Sequence, residues 1–171
     1  VTAKTESDKR WADANCFHTG LEMATILSEL NQDIDTLVAA VLYRAVREER
    51  LALSVVKEQF GEKEAGLIQG VLRMASVSTL QSISEEKVLG RAADEQVESL
   101  RKMLVAIIDD VRVALVKIAE RTCAIRAVKN APEEKRRRVA REVMNVYAPL
   151  AHRLGIGHIK WELEDLSFRY L

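Results

Sequence analysis

Reactive side chains are scarce in this chain: three histidines and two cysteines stand among 171 residues. Cys16 and Cys123 lack the Cys-x-x-Cys spacing of a structural zinc site, so both are expected to be idle thiols in a reducing compartment. His152 and His158 have no partner histidine at helical spacing and are read as structural. The basic run Lys135-Arg136-Arg137-Arg138 invites a phosphate. Four consecutive residues on one helical turn point in different directions, however, and the expected role is a solvated face.

Composition narrows the classes further. Lys plus Arg and Asp plus Glu number 26 each, so no bulk field draws the chain to nucleic acid or membrane. Hydrophobic residues make up 48% and charged residues 30%, a balance that suits a globular core built on Leu, Ile, Val, Ala and Met, because aromatics reach only 5%. No run approaches the about 18 apolar residues that span a bilayer, and the opening VTAKTESDKR is too charged for a signal peptide. No membrane partner is expected, and the expected location is the cytoplasm. The chain starts at Val1 without Met and stops at Phe168-Arg169-Tyr170-Leu171 in what reads as a continuing helix, as a piece of a longer protein would.

The elements that must position any site are helical. Two prolines and seven glycines leave few breakers, and apolar residues recur at helical spacing. Residues 1–18 form an N-terminal extension or first helix. Met23, Ile26, Leu27 and Leu30 make one stripe, and Ile34, Leu37, Val38, Val41 and Leu42 make another beyond the polar turn Asn31-Gln32-Asp33. Ser54 is a candidate cap for a short helix that stops at Gly61, and Leu67, Val71 and Met74 lie on the next one. Between Ser76 and Ala93 no face is sustained, and the expectation is a long mobile loop, a candidate lid or switch. A helix from Asp94 carries Leu100, Met103, Leu104, Ile107 and Ile108, and the one after it, with Val111, Leu115, Ile118, Thr122 and Ile125, is apolar nearly all round and therefore central. Ala131-Pro132-Glu133-Glu134 starts a helix whose buried face is Val139, Val143, Val146, Leu150 and Leu154, with a kink expected at Pro149.

Several segments share a pattern with a known family. Tyr147-Ala148-Pro149-Leu150-Ala151-His152-Arg153-Leu154-Gly155-Ile156-Gly157, followed by Lys160-Trp161-Glu162-Leu163-Glu164-Asp165-Leu166, resembles the end of the hydrolase domain in RelA/SpoT enzymes, which make or degrade guanosine tetra- and pentaphosphate. Asp35-Thr36-Leu37-Val38-Ala39-Ala40-Val41-Leu42 resembles the helix entering their His-Asp motif, and Lys117-Ile118-Ala119-Glu120-Arg121 resembles their Lys-Leu-Ala-Asp-Arg. The similarity runs from about Thr19 to Leu171. It implies a single all-α domain of the HD-superfamily type over residues 1–171, with about eight helices and with residues 156–171 starting a connection to a synthetase domain.

In the hydrolases of that family the domain holds manganese on histidines and aspartates, and the metal activates water against the 3′-pyrophosphate. The resemblance puts the first ligand histidine on Thr19, with His18 one residue and about 100° away on a helix. It puts the His-Asp pair on Tyr43-Arg44, the Glu-Asp pair on Arg47-Glu48, the last aspartate on Glu120, and a following asparagine on Ala124. Glu120 alone keeps a suitable donor. A guanidinium about 4 Å from a cation costs roughly 4 kcal/mol per unit charge at an effective dielectric near 20, so no manganese or other cofactor is expected here. Tyr43 is then packing, while Arg44 and Arg47 are either solvated charges or an anion site for a guanine nucleotide phosphate. The implied role is a non-catalytic regulatory domain of a GTP pyrophosphokinase, acting on its own synthetase domain, with Lys160 and Glu164 as exposed contact positions. The alternative is a residual hydrolase using His18, Glu48 and Glu120. Ribosome and tRNA contacts would belong to C-terminal regions outside these residues.

Overall fold

The computed structural model describes residues 2–85, 98, 102, 104–107 and 109–171, with side chains described for 16–77 and for those from 98 onward. Among them are eight bounded α-helices and no strand, in agreement with the all-α expectation: α1 (Thr2–Glu29), α2 (Ile34–Arg47), α3 (Leu53–Gln59), α4 (Glu62–Glu85), α5 (Val111–Ala127), α6 (Glu133–Glu142), α7 (Ala148–Arg153) and α8 (Gly157–Tyr170). The chain divides into two compact units, residues 1–73 and 74–171.

In the first unit α1 and α2 form an antiparallel-type hairpin across the polar turn. α1 runs unbroken through residues 2–18, which are its first half and not a separate extension. Asn31 ends it in the left-handed region at φ 57°, the conformation an asparagine tolerates best after glycine, while Gln32 N–H reaches back to Leu27 O at 3.1 Å. Asp33 then caps α2 by accepting from Thr36 N–H at 3.0 Å. Met23, Ile26 and Leu27 of α1 and Thr36, Ala39, Ala40 and Tyr43 of α2 are buried. The helices cross where Gly20 lies against the backbone of Val41. A Cβ built on Gly20 would stand 2.7 Å from Val41 O, so Gly20→Ala is expected to cost about 1–3 kcal/mol, readable as a lowered urea midpoint. A midpoint unchanged from wild type would mean that the crossing relaxes freely.

Two expectations on this side need correction. Ser54 does not cap α3: Ala52 occupies the N-cap without a side-chain bond, and Ser54 lies inside the helix. The segment from Ser76 is no loop as far as Glu85, because α4 continues through it. Serine is only mildly unfavourable in a helix and no Gly or Pro interrupts residues 76–85, so the helix of Leu67, Val71 and Met74 simply propagates. Residues 86–93 of the expected loop lie outside the described residues.

In the second unit α5 is the central element, with Val113 through Glu120, Thr122, Cys123 and Ile125 buried. α6 and α8 pack on it, and α8 packs in turn on α6 and α7. Pro132 is the N-cap of α6 rather than its first residue, and Glu133 and Glu134 sit in the first turn as expected. The kink expected at Pro149 takes the form of a π turn over Val143–Tyr147, where Ala148 N–H bonds Val143 O, five residues back. Proline cannot donate to the carbonyl four residues before it and clashes with it in a regular helix. Widening the preceding turn is one way to take up that conflict. Residues 157–170 of the expected connection form α8, which buries Ile159, Leu163 and Ser167.

Candidate functional site

The first unit brings three of the singled-out residues together. Arg44 projects from α2 between the helices, its Nη1 donating to Thr19 Oγ1 on α1 at 2.9 Å and its Nε to Glu48 Oε1 at 2.8 Å. Glu48, at the C-cap of α2, also accepts from Cys16 Sγ at 2.8 Å through Oε2, and the same oxygen forms an ion pair with Arg50 Nε at 3.3 Å. Arg50 can reach back because Glu49 adopts φ 59°, a left-handed turn that reverses the chain just beyond the helix. Burial would raise the Glu48 carboxyl, but the hydrogen bonds from Cys16 and Arg44 and the charges of Arg44 and Arg47 hold it below the ordinary value. The Cys16 thiol moves the other way: burial first, then the Glu48 carboxylate beside it, push it up to about 11. Cys16 is therefore a working hydrogen-bond donor and not merely idle. Tyr43 is fully buried, as packing would require.

Glu120, the one inherited position that keeps an oxygen donor, lies in the second unit on α5. Its Oε2 accepts from Lys117 Nζ and Arg121 Nε, each at 2.8 Å, and its Oε1 from Arg121 Nη2 at 2.5 Å. Arg121 continues to Glu142 Oε2 at 3.1 Å, and the Lys117 ammonium stands 6.0 Å from the centre of the Tyr147 ring. Lys117 is 1% and Glu120 6% exposed, so this is an ionic cluster closed off from water. Burial opposes the charge on Glu120, yet Arg121 and Lys117 overcome it and hold the carboxyl far below the ordinary range. Burial works against the charge on Arg121 as well, and Glu120 overrides it upward. Ala124 follows one turn after Glu120 and offers no polar atom.

Thr19 Oγ1 faces a guanidinium, and both Glu48 and Glu120 have cations on their carboxylate oxygens. Among the described residues no three His, Cys, Asp or Glu side chains gather as a metal group. His18, exposed on α1, has the Phe17 ring as its neighbour at 6.4 Å. His152 and His158 are exposed as well. Arg44 is committed to Thr19 and Glu48, while Arg47 is exposed. In the basic run Arg137 pairs with Glu133 at 2.8 Å and Arg136 stacks at 6.0 Å over Tyr170, pointing apart as expected for a solvated face.

Lys160 and Glu164, the expected contact positions, pair with each other at 3.3 Å, with 25% and 34% of their side chains exposed. The outward face of α8 is Trp161 and Phe168, 73% and 72% exposed. Sequence reasoning missed Cys16, Arg50, Lys117, Arg121 and Glu142 as members of these clusters. The three-residue spacing of Lys117 and Glu120 was a usable signal. Cys16 and Glu48, 32 residues apart, gave none.

The described residues are helical without a strand, and residues 2–157 match the family model described as HD domain. The chain belongs to the HD domain family. Within that class its relatives carry one enzyme's name. It is 46% identical over 152 residues to the GTP pyrophosphokinase of Escherichia coli (strain K12), covering 89% of this chain and 20% of that protein. The GTP pyrophosphokinase of Myxococcus xanthus is 42% identical over 151 residues, 88% of this chain and 19% of that protein. The probable GTP pyrophosphokinase of Mycobacterium leprae (strain TN) is 44% identical over 151 residues, 88% of this chain and 18% of that protein. These relatives are of the RelA/SpoT type whose motifs the sequence carries. The chain spans about one fifth of the length of the curated relatives it matches. Among the described residues no helix is long and apolar enough to cross a membrane.

Proposed function

We propose that this chain is a non-catalytic regulatory domain of a GTP pyrophosphokinase, working in the cytoplasm on a synthetase domain elsewhere in the same protein. The observation that carries this reading is the pairing of both candidate carboxylates with internal cations, Glu48 with Arg44 and Arg50, and Glu120 with Lys117 and Arg121. A carboxylate already neutralised by a guanidinium is a poor ligand and a poor base, because a metal or proton must first displace a charge-assisted bond. The helical packing is meanwhile intact. A domain that keeps its packing and spends its carboxylates on itself can still bias a neighbour, since coupling needs only contacts that differ between two states of the neighbour. A residual hydrolase using His18, Glu48 and Glu120 is disfavoured by the same pairings. No manganese or nucleotide is assigned to this segment, and ribosome or tRNA contacts are left to the rest of the protein.

The contact surface we assign is the outward face of α8, where Trp161 and Phe168 lie seven residues apart and hence on one side of the helix. Trp161→Ala with Phe168→Ala in the full-length protein is expected to change basal or stimulated synthesis of guanosine tetraphosphate by about fivefold or more, without unfolding the domain. The companion measurement removes residues 1–171 altogether. Unchanged basal rate and unchanged stimulation after that deletion would make the domain an inert remnant.

A further inference from the structure

We propose that Arg44 is a latch that seals α1 against α2, and that releasing it opens the buried Cys16 to solvent while the rest of the chain stays folded. The inference stands on the geometry of the first unit and is independent of the regulatory reading above. Around the crossing the polar side chains form a closed ring: Thr19 on α1 accepts from Arg44 on α2, Arg44 donates to Glu48, and Glu48 accepts from Cys16, back on α1 and about one turn from Thr19. Both helices contribute two members, so the ring joins them through two bonds that cross the interface. One residue from Thr19, Gly20 lies against the backbone of Val41, so the two helices meet closely beside the ring.

The ring differs from an ordinary surface ion pair in what it encloses. Arg44 and Glu48 keep 31% and 32% of their side chains exposed, so the latch can be reached from outside. Cys16 behind it is only 6% exposed. Its proton is held by the Glu48 carboxylate, which keeps the thiol from its reactive thiolate form. Without Arg44 the carboxylate loses the brace on Oε1 and Thr19 loses its donor, so Glu48 is held through Oε2 alone, the oxygen that Arg50 and the thiol share, and one of the two bonds across the helix crossing is gone. Arg44 thus acts on Cys16 through Glu48, as a positioning residue. Cys123, buried at 3% on α5 in the other unit, has no part in the ring and serves as an internal reference.

The experiment is alkylation of the folded 171-residue chain with iodoacetamide, followed by peptide mass mapping so that Cys16 and Cys123 are read separately. In the wild type both are expected to react slowly. Arg44→Ala is expected to speed labelling of Cys16 by about tenfold or more with Cys123 unchanged, because removing a hydrogen bond to a charged group from the seal admits the reagent, an effect that must exceed the loss of the guanidinium's own lowering of the thiol. Arg44→Lys keeps the charge but not the two-pronged reach, and an intermediate acceleration is expected. Thr19→Val breaks the α1 end of the ring without touching any charge, so the proposal remains testable if Arg44→Ala fails to fold, and it too should accelerate Cys16 selectively. Equal acceleration of both cysteines would overturn the latch, since that pattern reports general unfolding. Unchanged labelling of Cys16 in Arg44→Lys and Thr19→Val would overturn it as well.

Discussion

Replacing Glu120 by alanine is expected to lower the unfolding free energy by about 3–5 kcal/mol, as is usual when one partner of a buried ion pair is removed. The loss comes from what stays behind. Lys117, 1% exposed, would keep its ammonium under Tyr147 with its carboxylate acceptor gone, and Arg121 would retain only Glu142. Glu120→Gln, which keeps the shape and removes the charge, should cost less than alanine but still a large share. The pH dependence has a definite sign. The carboxyl of Glu120 sits far below its ordinary value in the folded chain, so its contribution is fully present above the unfolded glutamate range and is lost as pH falls through that range towards the folded value. The gap between wild type and alanine variant is therefore expected to stay flat across neutral pH and to narrow below about pH 4. Urea titrations at a series of pH values measure it. A gap that widened in acid, or that never exceeded the scatter of the titration, would contradict the buried-cluster account.

The second large effect is an absence of rescue. Tyr43→His together with Arg44→Asp restores the family's two residue types at those positions, yet the pair is expected to recover neither manganese binding nor hydrolysis of guanosine tetraphosphate. Removing Arg44 takes away the cation on Glu48 Oε1 and the donor to Thr19, and an aspartate at position 44 would stand one helical turn from Glu48 as a like charge. Tyr43 is wholly buried, so a histidine there leaves a void in the core as well as a polar ring to satisfy. Arg47 and Ala124 would still be wrong, and Glu120 would still be neutralised by Lys117 and Arg121. Groups that act as a unit fail together. Metal analysis of the purified variant beside a pyrophosphate-release assay decides the matter. Stoichiometric manganese with steady release would show that the surrounding shell had been left functional.

The helices were legible where a single apolar stripe ran between strong punctuation. The turn at Asn31 to Asp33 and the start at Pro132 were readable because asparagine, aspartate and proline each have one conformational preference that dominates. Residues 76–85 were misread because serine is a weak vote against helix, easily outweighed by continuation of α4 from Glu62. The candidate positions were legible only through the resemblance, which supplied Thr19, Tyr43, Arg44, Arg47, Glu48, Glu120 and Ala124. What each now does was not. Arg44 finds Thr19 across 25 residues of chain, and Arg121 finds Glu142 across 21, separations over which no spacing rule holds. The pairing of Lys160 with Glu164, by contrast, follows from their spacing of four.

The π turn at Val143–Tyr147 gives the second unit a dependence on residue count. Its Ala148 to Val143 bond closes one residue later than a regular turn would, so everything beyond it is advanced by one position around the helix axis. One residue corresponds to about 100° of rotation in a regular helix. The bearing of Leu150 and Ala151, the buried residues of α7, is thus set by the π turn just before them. A one-residue deletion within the turn would swing Leu150 and Ala151 away from the unit's interior, which makes this turn the azimuth adjustment of α7.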